Sequence, residues 1–266
     1  MMGTAGQDLA RDIEADTRRK CSGSFYSADE IMRAGRGPAT DYFARLDRIK
    51  QDLTARHARG HRTLDLCCAT GDHLLHHSQA VPVGVGLDFS LPFLGRAASQ
   101  ARQRQIQNAF FLCGNARRLP FPDQSFGFVY SFSSLYIIPH VGEALLEIRR
   151  VLEPGGAAVF DLGNRWSLCA LVSRAHTETA APCCIGVPAM KRLIADAGLE
   201  ILSHRAYQIL PLWGRKPKWL RPLLHPFWKS LLEKTVRGRM IDEWICQLPG
   251  VRILAFRHLF VCRREG

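Results

Sequence analysis

The chain has no run of about 18 or more uncharged apolar residues, so no membrane-spanning helix is expected. Its first twenty residues, MMGTAGQDLARDIEADTRRK, lack an apolar centre, so no secretory leader is expected either. None of its 9 cysteines forms a Cys-x-x-Cys pair. Their odd number and irregular spacing argue against a zinc cage and against a disulfide framework, and no metal is expected. Several, including Cys67, Cys68, Cys113 and Cys262, sit in apolar strand-like runs, where a reduced thiol packs as a small hydrophobe. A reducing, cytoplasmic setting follows from that usage. Acidic side chains are also short: 24 Asp and Glu stand against 36 Lys and Arg, a net charge of +12. Residues 201–266 hold 13 of those bases and only 4 of the acids, so the excess gathers in the last quarter. It reads either as a solvated surface or as a face that meets lipid headgroups, acidic glycans or nucleic acid. No internal repeat or low-complexity segment stands out, and nothing in the sequence specifies an oligomeric state.

What is present is ordinary globular composition, 47% hydrophobic and 23% charged, over 266 residues. That length suits one large α/β domain with a full core. Residues 1–60 read as polar and helical, with Tyr42, Phe43, Leu46, Ile49 and Leu53 at helical spacing. From residue 62 short apolar runs alternate with helical stretches. Strands are expected at Arg62–Cys68, Pro82–Asp88, Ala109–Cys113, Phe126–Phe132 and Gly156–Leu162, then at about 199–207 and at Leu254–Cys262. Helices are expected at His73–Gln79, Leu91–Arg104, Val141–Leu152 and 188–197. Strands separated by helices imply right-handed crossovers and a doubly wound, mostly parallel sheet of seven strands.

The most informative segment is Leu64–Asp72, LDLCCATGD: a strand, a turn of small residues, then a helix start. Small side chains at such a turn let the backbone approach a ligand, and free N–H groups at the helix start suit a carboxylate or phosphate. The second element is Asp88, at the end of the second strand and 17 residues beyond Gly71. In doubly wound folds an acid there accepts the ribose hydroxyls of an adenosine cofactor. Asp88 or Ser90 could equally cap the helix that follows, and the two roles are compatible. A dinucleotide site would want Gly-x-Gly-x-x-Gly; only Gly71 is present, which disfavours a nicotinamide cofactor.

Leu64–Asp72, Gly86–Ser90, Gly114–Asp123, Ser125–Phe132 and Arg150–Gly156 follow one another in an order and spacing that resemble the class I S-adenosylmethionine (SAM) dependent methyltransferases. Within that class the chain is similar to the type 11 group and to the menaquinone and ubiquinone C-methyltransferases. The resemblance covers about residues 60–162 and weakens towards 262. It implies a Rossmann-like fold with SAM as cofactor. Asp65, Cys67, Ala69 and Gly71 would cradle the methionine part. Asp88 would bind the ribose and Phe89 lie against the adenine. Asn115 and Ala116 would read the adenine edge, and Ser131 with Phe132 would lie beneath the sulfonium. RVLEPGG would be structural. The resemblance divides the chain into a helical segment or lid (1–60), a SAM-binding core (61–207), an acceptor-site insertion of helices (208–250) and a last core strand (251–266). Cys67 and Ala69 depart from the family's glycine positions; were φ positive at Ala69, its methyl would cost about 1 kcal/mol.

Methyl transfer is an in-line displacement, so positioning of the acceptor dominates, and a base helps a hydroxyl acceptor. His140, just past the fourth strand, is the preferred base, with a helix-start histidine as the bland alternative; Tyr136 is second. Tyr26 and Tyr42 could cover the site or pack in the core. Residues 210–250 interleave Trp213, Trp219, Leu220, Leu223, Leu224, Phe227, Trp228, Leu231 and Leu232 with Arg215, Lys216, Lys218, Arg221, Lys229 and Lys234. That mixture suits a membrane surface, here the inner face, or a lipid-linked acceptor. It also suits a lid over a ring-shaped substrate, RNA, or a plain helical cap. The expected activity is therefore methyl transfer to a small or lipid-linked acceptor such as a glycan, quinone or secondary metabolite. The alternatives are RNA methylation and SAM binding without turnover.

Overall fold

The computed structural model describes residues 11, 12, 15, 41–175, 183–211, 222 and 225–266. Tyr26, Trp213, Arg215, Lys216, Lys218, Trp219, Leu220, Arg221, Leu223 and Leu224 lie outside the described residues. Helix α1 (Asp41–Ala58) leads into strand β1 (Thr63–Leu66), helix α2 (Asp72–His77) and strand β2 (Gly84–Asp88). Then come α3 (Leu91–Gln103), β3 (Ala109–Cys113), β4 (Phe126–Ser131), α4 (Val141–Val151) and the long β5 (Leu152–Gly163). Helices α5 (Leu168–Ala175) and α6 (Val187–Asp196) precede β6 (Leu199–Tyr207). The remainder is α7 (Pro226–Glu233), the ribbon β7 (Thr235–Val236) and β8 (Arg239–Met240), α8 (Ile241–Ile245) and β9 (Arg257–Arg264).

One sheet of seven strands organises these elements, in the order β3-β2-β1-β4-β5-β9-β6. Its first five strands run parallel, and β9 enters antiparallel between β5 and β6. Alternation along the strands sorts side chains to two layers. Leu64, Leu66, Val129, Ala158, Phe160 and Cys262 meet Leu145 and Ile148 of α4 and Met190 and Ile194 of α6. Phe128, Tyr130, Val159, Leu259 and Val261 meet Tyr42, Leu46 and Ile49, the apolar stripe of α1. With helices on both faces, central strands must be apolar on both sides, and β1 and β4 are buried at every residue.

The expected strands and helices form, with shifted ends. β5 begins at Leu152 rather than Gly156, because Leu152 pairs with Phe126 across an irregularity in the β4 register. The last strand begins at Arg257 rather than Leu254. Val251–Leu254 instead forms a 3-10 turn, and the Asn164 amide donates to the Ile253 and Ala255 carbonyls. The insertion before that strand was expected to be helical; its described part holds the helices α7 and α8 and adds a short ribbon between them. Arg237 and Gly238 both have positive φ, as a type I′ hairpin turn requires, and join β7 to β8. The Arg-Gly pair was the sequence signal for that ribbon.

Asp242, buried at the start of α8, ties three regions together. Its carboxylate accepts from the Tyr42 hydroxyl at 2.7 Å, from Gln208 N at 2.8 Å and from Ile209 N at 3.0 Å. Tyr42 is thus a core residue latched to the insertion. Replacing Asp242 by Ala strands three buried donors, each costing about 1–3 kcal/mol. We expect D242A to lose about 3 kcal/mol or more of stability, seen in thermal unfolding as a midpoint lower by roughly 6–12 °C.

Candidate functional site

The chain order places β1 between β2 and β4, so the strand order reverses beside β1 and a crevice opens at the carboxyl ends of these strands. The loop that leaves β1 has three left-handed residues at alternate positions: Cys67 at φ 64°, Ala69 at φ 46° and Gly71 at φ 70°. Cys67 N and Cys68 N both donate to the Leu87 carbonyl, at 2.7 and 3.1 Å, which pins the loop to β2. Ala69 N then donates to Asp88 Oδ2 at 2.9 Å, and Ser90 N donates to Asp88 Oδ1 at 2.9 Å. Ser90, not Asp88, caps α3, its hydroxyl accepting from Phe93 N. Burial raises the Asp88 pKa, against backbone hydrogen bonds that favour its ionised form.

Gly71 is required twice over. Besides its positive φ, a Cβ there would lie 2.6 Å from the Phe111 ring. Ala69 does adopt the positive φ for which the sequence carried a cost of about 1 kcal/mol.

Two buried oxygens at this crevice have no hydrogen-bond partner among the described residues: Asp65 Oδ2 in β1 and Ser131 Oγ at the end of β4. Burial pushes the Asp65 carboxyl up to about 7; the Tyr130 hydroxyl beside it opposes the rise, and Asp88 adds to it. A ligand with its own cationic donors fits this pair. The ammonium of a methionine moiety would satisfy Asp65 Oδ2, which has no partner among the described residues.

The loop after β3 is a self-contained turn. Asn115 Oδ1 accepts from Arg117 N at 3.0 Å, and Ala116 is buried. The buried Arg117 side chain donates to Glu143 at 2.5 Å and to Asp12 at 2.8 Å. Phe89 is half-buried between Asp88 and Ser90. In RVLEPGG, Arg150 holds the 119–123 loop through the Leu119 and Phe121 carbonyls and Asp123.

Past β4 the structure gathers a polar cluster that the sequence did not announce. Asp161 accepts from Ser133 N and from Arg257 Nη1, both at 2.5 Å. Ser133 Oγ accepts from Lys50 Nζ at 2.9 Å and from Arg257 Nη1 at 2.7 Å. Arg257 also donates to Tyr136 Oη at 3.3 Å and to Gln208 Oε1 at 3.1 Å. Tyr136 therefore belongs to the cluster, and its pKa is raised, chiefly by burial. His140 does not: it is exposed, in a left-handed conformation before α4, and its ring caps no backbone N–H. The available signals were charges at strand ends, Asp161 in FDLG and Arg257 after AF, and Lys50 beside the apolar stripe of α1.

The loop's two small residues should respond oppositely to substitution. Ala69→Gly relieves the backbone and should change stability by less than about 1 kcal/mol, in the stabilising direction, in denaturant unfolding. Gly71→Ala adds a left-handed Cβ against Phe111 and should cost about 2 kcal/mol or more.

Residues 63–156 match the family model described as a methyltransferase domain. A demethylmenaquinone methyltransferase of Lactiplantibacillus plantarum is 41% identical over 115 residues, which is 41% of this chain and 48% of that protein. One from a Geobacillus strain is 38% identical over 104 residues, 38% of this chain and 44% of its own length. The chain thus spans about half the length of the curated relatives it matches. Among solved structures, the cyclase SpnF superposes with a TM-score of 0.59 at 19% identity, over 97% of this chain and 94% of that one. A SAM-dependent methyltransferase from Mesorhizobium loti gives 0.57 at 16% identity, over 81% and 96%. These two show the fold. Residues 63–156 thus resemble a methyltransferase domain, and the sheet order is that of the class I, SAM-dependent methyltransferase fold.

Proposed function

We propose that this protein transfers a methyl group from SAM to a small or lipid-linked acceptor, of the quinone, glycan or secondary-metabolite kind. The observation that carries this reading is the bond from Ala69 N to Asp88 Oδ2, which joins the glycine-position loop to the acid of β2 beside the unpartnered oxygens of Asp65 and Ser131. SAM supplies a methyl already activated on sulfonium, so the chain's work is binding and alignment. Cys67, Ala69 and Gly71 present backbone to the methionine end, and Asp65 takes its ammonium. A carboxylate has about four acceptor positions. Asp88 accepts from the backbone of Ala69, Ser90 and Phe89, which leaves capacity for a ribose hydroxyl. Phe89, Asn115 and Ala116 line the adenine side, and Ser131 lies beneath the methyl.

The acceptor side is the polar cluster past β4. Of the two residues suggested as a base, Tyr136 is favoured by its place in that cluster. His140 would have to act from the surface. A lipid-linked acceptor draws support from the insertion, where Phe227, Trp228, Val236 and Trp244 are exposed beside Arg239, whose guanidinium lies 5.2 Å from the Trp244 ring centre. No described helix is long and apolar enough to cross a membrane. All 8 described cysteines are free, which suits a reducing, cytoplasmic site.

Calorimetry with SAM tests the core of this reading. Asp88→Ala should weaken affinity by about 1–3 kcal/mol, roughly 5- to 150-fold; unchanged affinity refutes the ribose role. Proton linkage tests Asp65. Its carboxyl is held up to about 7, and a bound ammonium favours the ionised form. Binding at pH 6 should therefore expel a proton, binding at pH 8 should not, and affinity should fall as pH drops through about 7. Titrations in buffers of different ionisation enthalpy read this release, which Asp65→Asn should abolish. For the acceptor, methyl-labelled SAM with a fractionated extract should place label in the lipid or glycan fraction; label in RNA would favour the nucleic-acid alternative.

A further inference from the structure

Strand β3 closes one side of the sheet, and no described strand pairs with its outer edge. An open edge is a template for another strand, and proteins commonly blunt it with charge, proline or a bulge. β3 has none of these. Residues 105–116 hold no charged side chain and no proline, in a chain of net charge +12, and β3 keeps an unbroken register with β2. On one face of the strand Phe110 is 56% exposed and Leu112 40%.

Alternation fixes what this edge presents. Phe110 is in register with Val85 and Leu112 with Leu87, so both stand on the face that α4 and α6 cover farther along the sheet. The link from β3 to β4 holds a turn bridged from Asn115 to Arg118 rather than a helix, and these two side chains stay uncovered. Phe111 stands on the opposite face, where a Cβ on Gly71 or Gly86 would strike its ring. The peptide groups alternate too. Gly84 N donates to the Asn108 carbonyl, and Gly114 N donates to the Asp88 carbonyl. The even-numbered residues of β3 therefore turn their peptide groups to β2, and Ala109 and Phe111 turn theirs outward.

Both alternations fit a second copy of the same edge. Let two β3 strands run antiparallel about a twofold axis through Phe111. The two Phe111 residues then form a hydrogen-bonded pair, exchanging both N–H···O bonds. Phe110 lies opposite Leu112 of the second copy, and Leu112 opposite its Phe110. These are non-hydrogen-bonded pairs, whose side chains approach most closely. The four hydrophobics stand on one face and cover one another. The paired stretch has no charge, so the two cationic copies do not repel there, and a charged partner finds nothing on it to recognise. A twofold contact also consumes both edges, so it stops at two copies.

We propose that this chain forms a homodimer through β3, in the register centred on Phe111, with two sheets of seven strands joined edge to edge. It holds whether or not the chain transfers methyl groups. A strand of 5 residues makes a small interface, so the association is reversible, with a Kd of about 1–100 µM.

Sedimentation equilibrium of the full chain tests this. We expect a monomer–dimer equilibrium that is no weaker in about 0.5 M salt than in about 0.1 M, because the contact holds no charge. Phe110→Glu alone, or Leu112→Lys alone, sets a charge against an apolar side chain and should raise Kd at least about tenfold. The two together in one chain set an acid opposite a base at both reciprocal positions and should recover most of that loss. Phe110→Lys with Leu112→Lys sets like charges opposite and should not. Phe110→Thr and Leu112→Thr keep strand propensity and serve if a charged variant does not fold. A monomer at every concentration up to about 300 µM, a dimer that salt dissociates, a dimer indifferent to the single substitutions, or one that the Glu and Lys pair fails to restore overturns the proposal.

Discussion

The hydrogen bond from Ala69 N to Asp88 Oδ2 is the constraint on which the site depends. With the two bonds to the Leu87 carbonyl it fixes a loop that runs through three left-handed residues into a helix of only 6 residues. The same carboxylate organises the turn into α3 through Ser90 N. One buried acid therefore joins the loop after β1 to the turn after β2. Had Asp88 been exposed, solvent would compete for both backbone donors and the loop could relax away from its strained conformation.

Half of the left-handed non-glycine residues lie where function is proposed; Gln105, Gln124, Gln208 and Arg237 are the others. Cys67, Ala69, Ser133 and His140 all have positive φ, and all lie at the carboxyl edge of the central strands. Non-glycine residues keep such conformations only when neighbouring bonds over-determine them. For the loop those bonds come from the Leu87 carbonyl and Asp88; for Ser133 they come from Asp161, Lys50 and Arg257. Rigidity on both sides of one crevice is what an alignment-limited displacement requires. The fold leaves the chemistry open, since a cyclase shares it as well as a methyltransferase.

Much of the scaffold was legible in the sequence. The apolar run FGFVY reads as a strand buried between helices and AFFLC as a strand, which the structure places at the sheet edge with Phe110 and Leu112 exposed; the stripe from Tyr42 to Leu53 reads as an amphipathic helix. Asp88 and Gly71 stood out for the same local reason: small or acidic residues interrupt strand ends where backbone must turn or be capped. The polar cluster was not legible. Lys50, Ser133, Asp161 and Arg257 come from α1, the end of β4, the end of β5 and the start of β9. Taken singly, each is an unremarkable residue. His140 was conspicuous in the sequence because it is a histidine just past a strand, yet packing leaves it on the surface.

The division has a physical origin. By itself the sequence determined the alternating elements, the doubly wound class, and the loop and acid proposed to hold the cofactor, because periodicity and turn chemistry act over a few residues. Only the tertiary structure decided that β9 runs antiparallel between β5 and β6, and so that Arg257 meets Asp161 across 96 residues of chain. Contacts of that span depend on which strand edges pair, a choice made by burial of the whole sheet rather than by any local pattern.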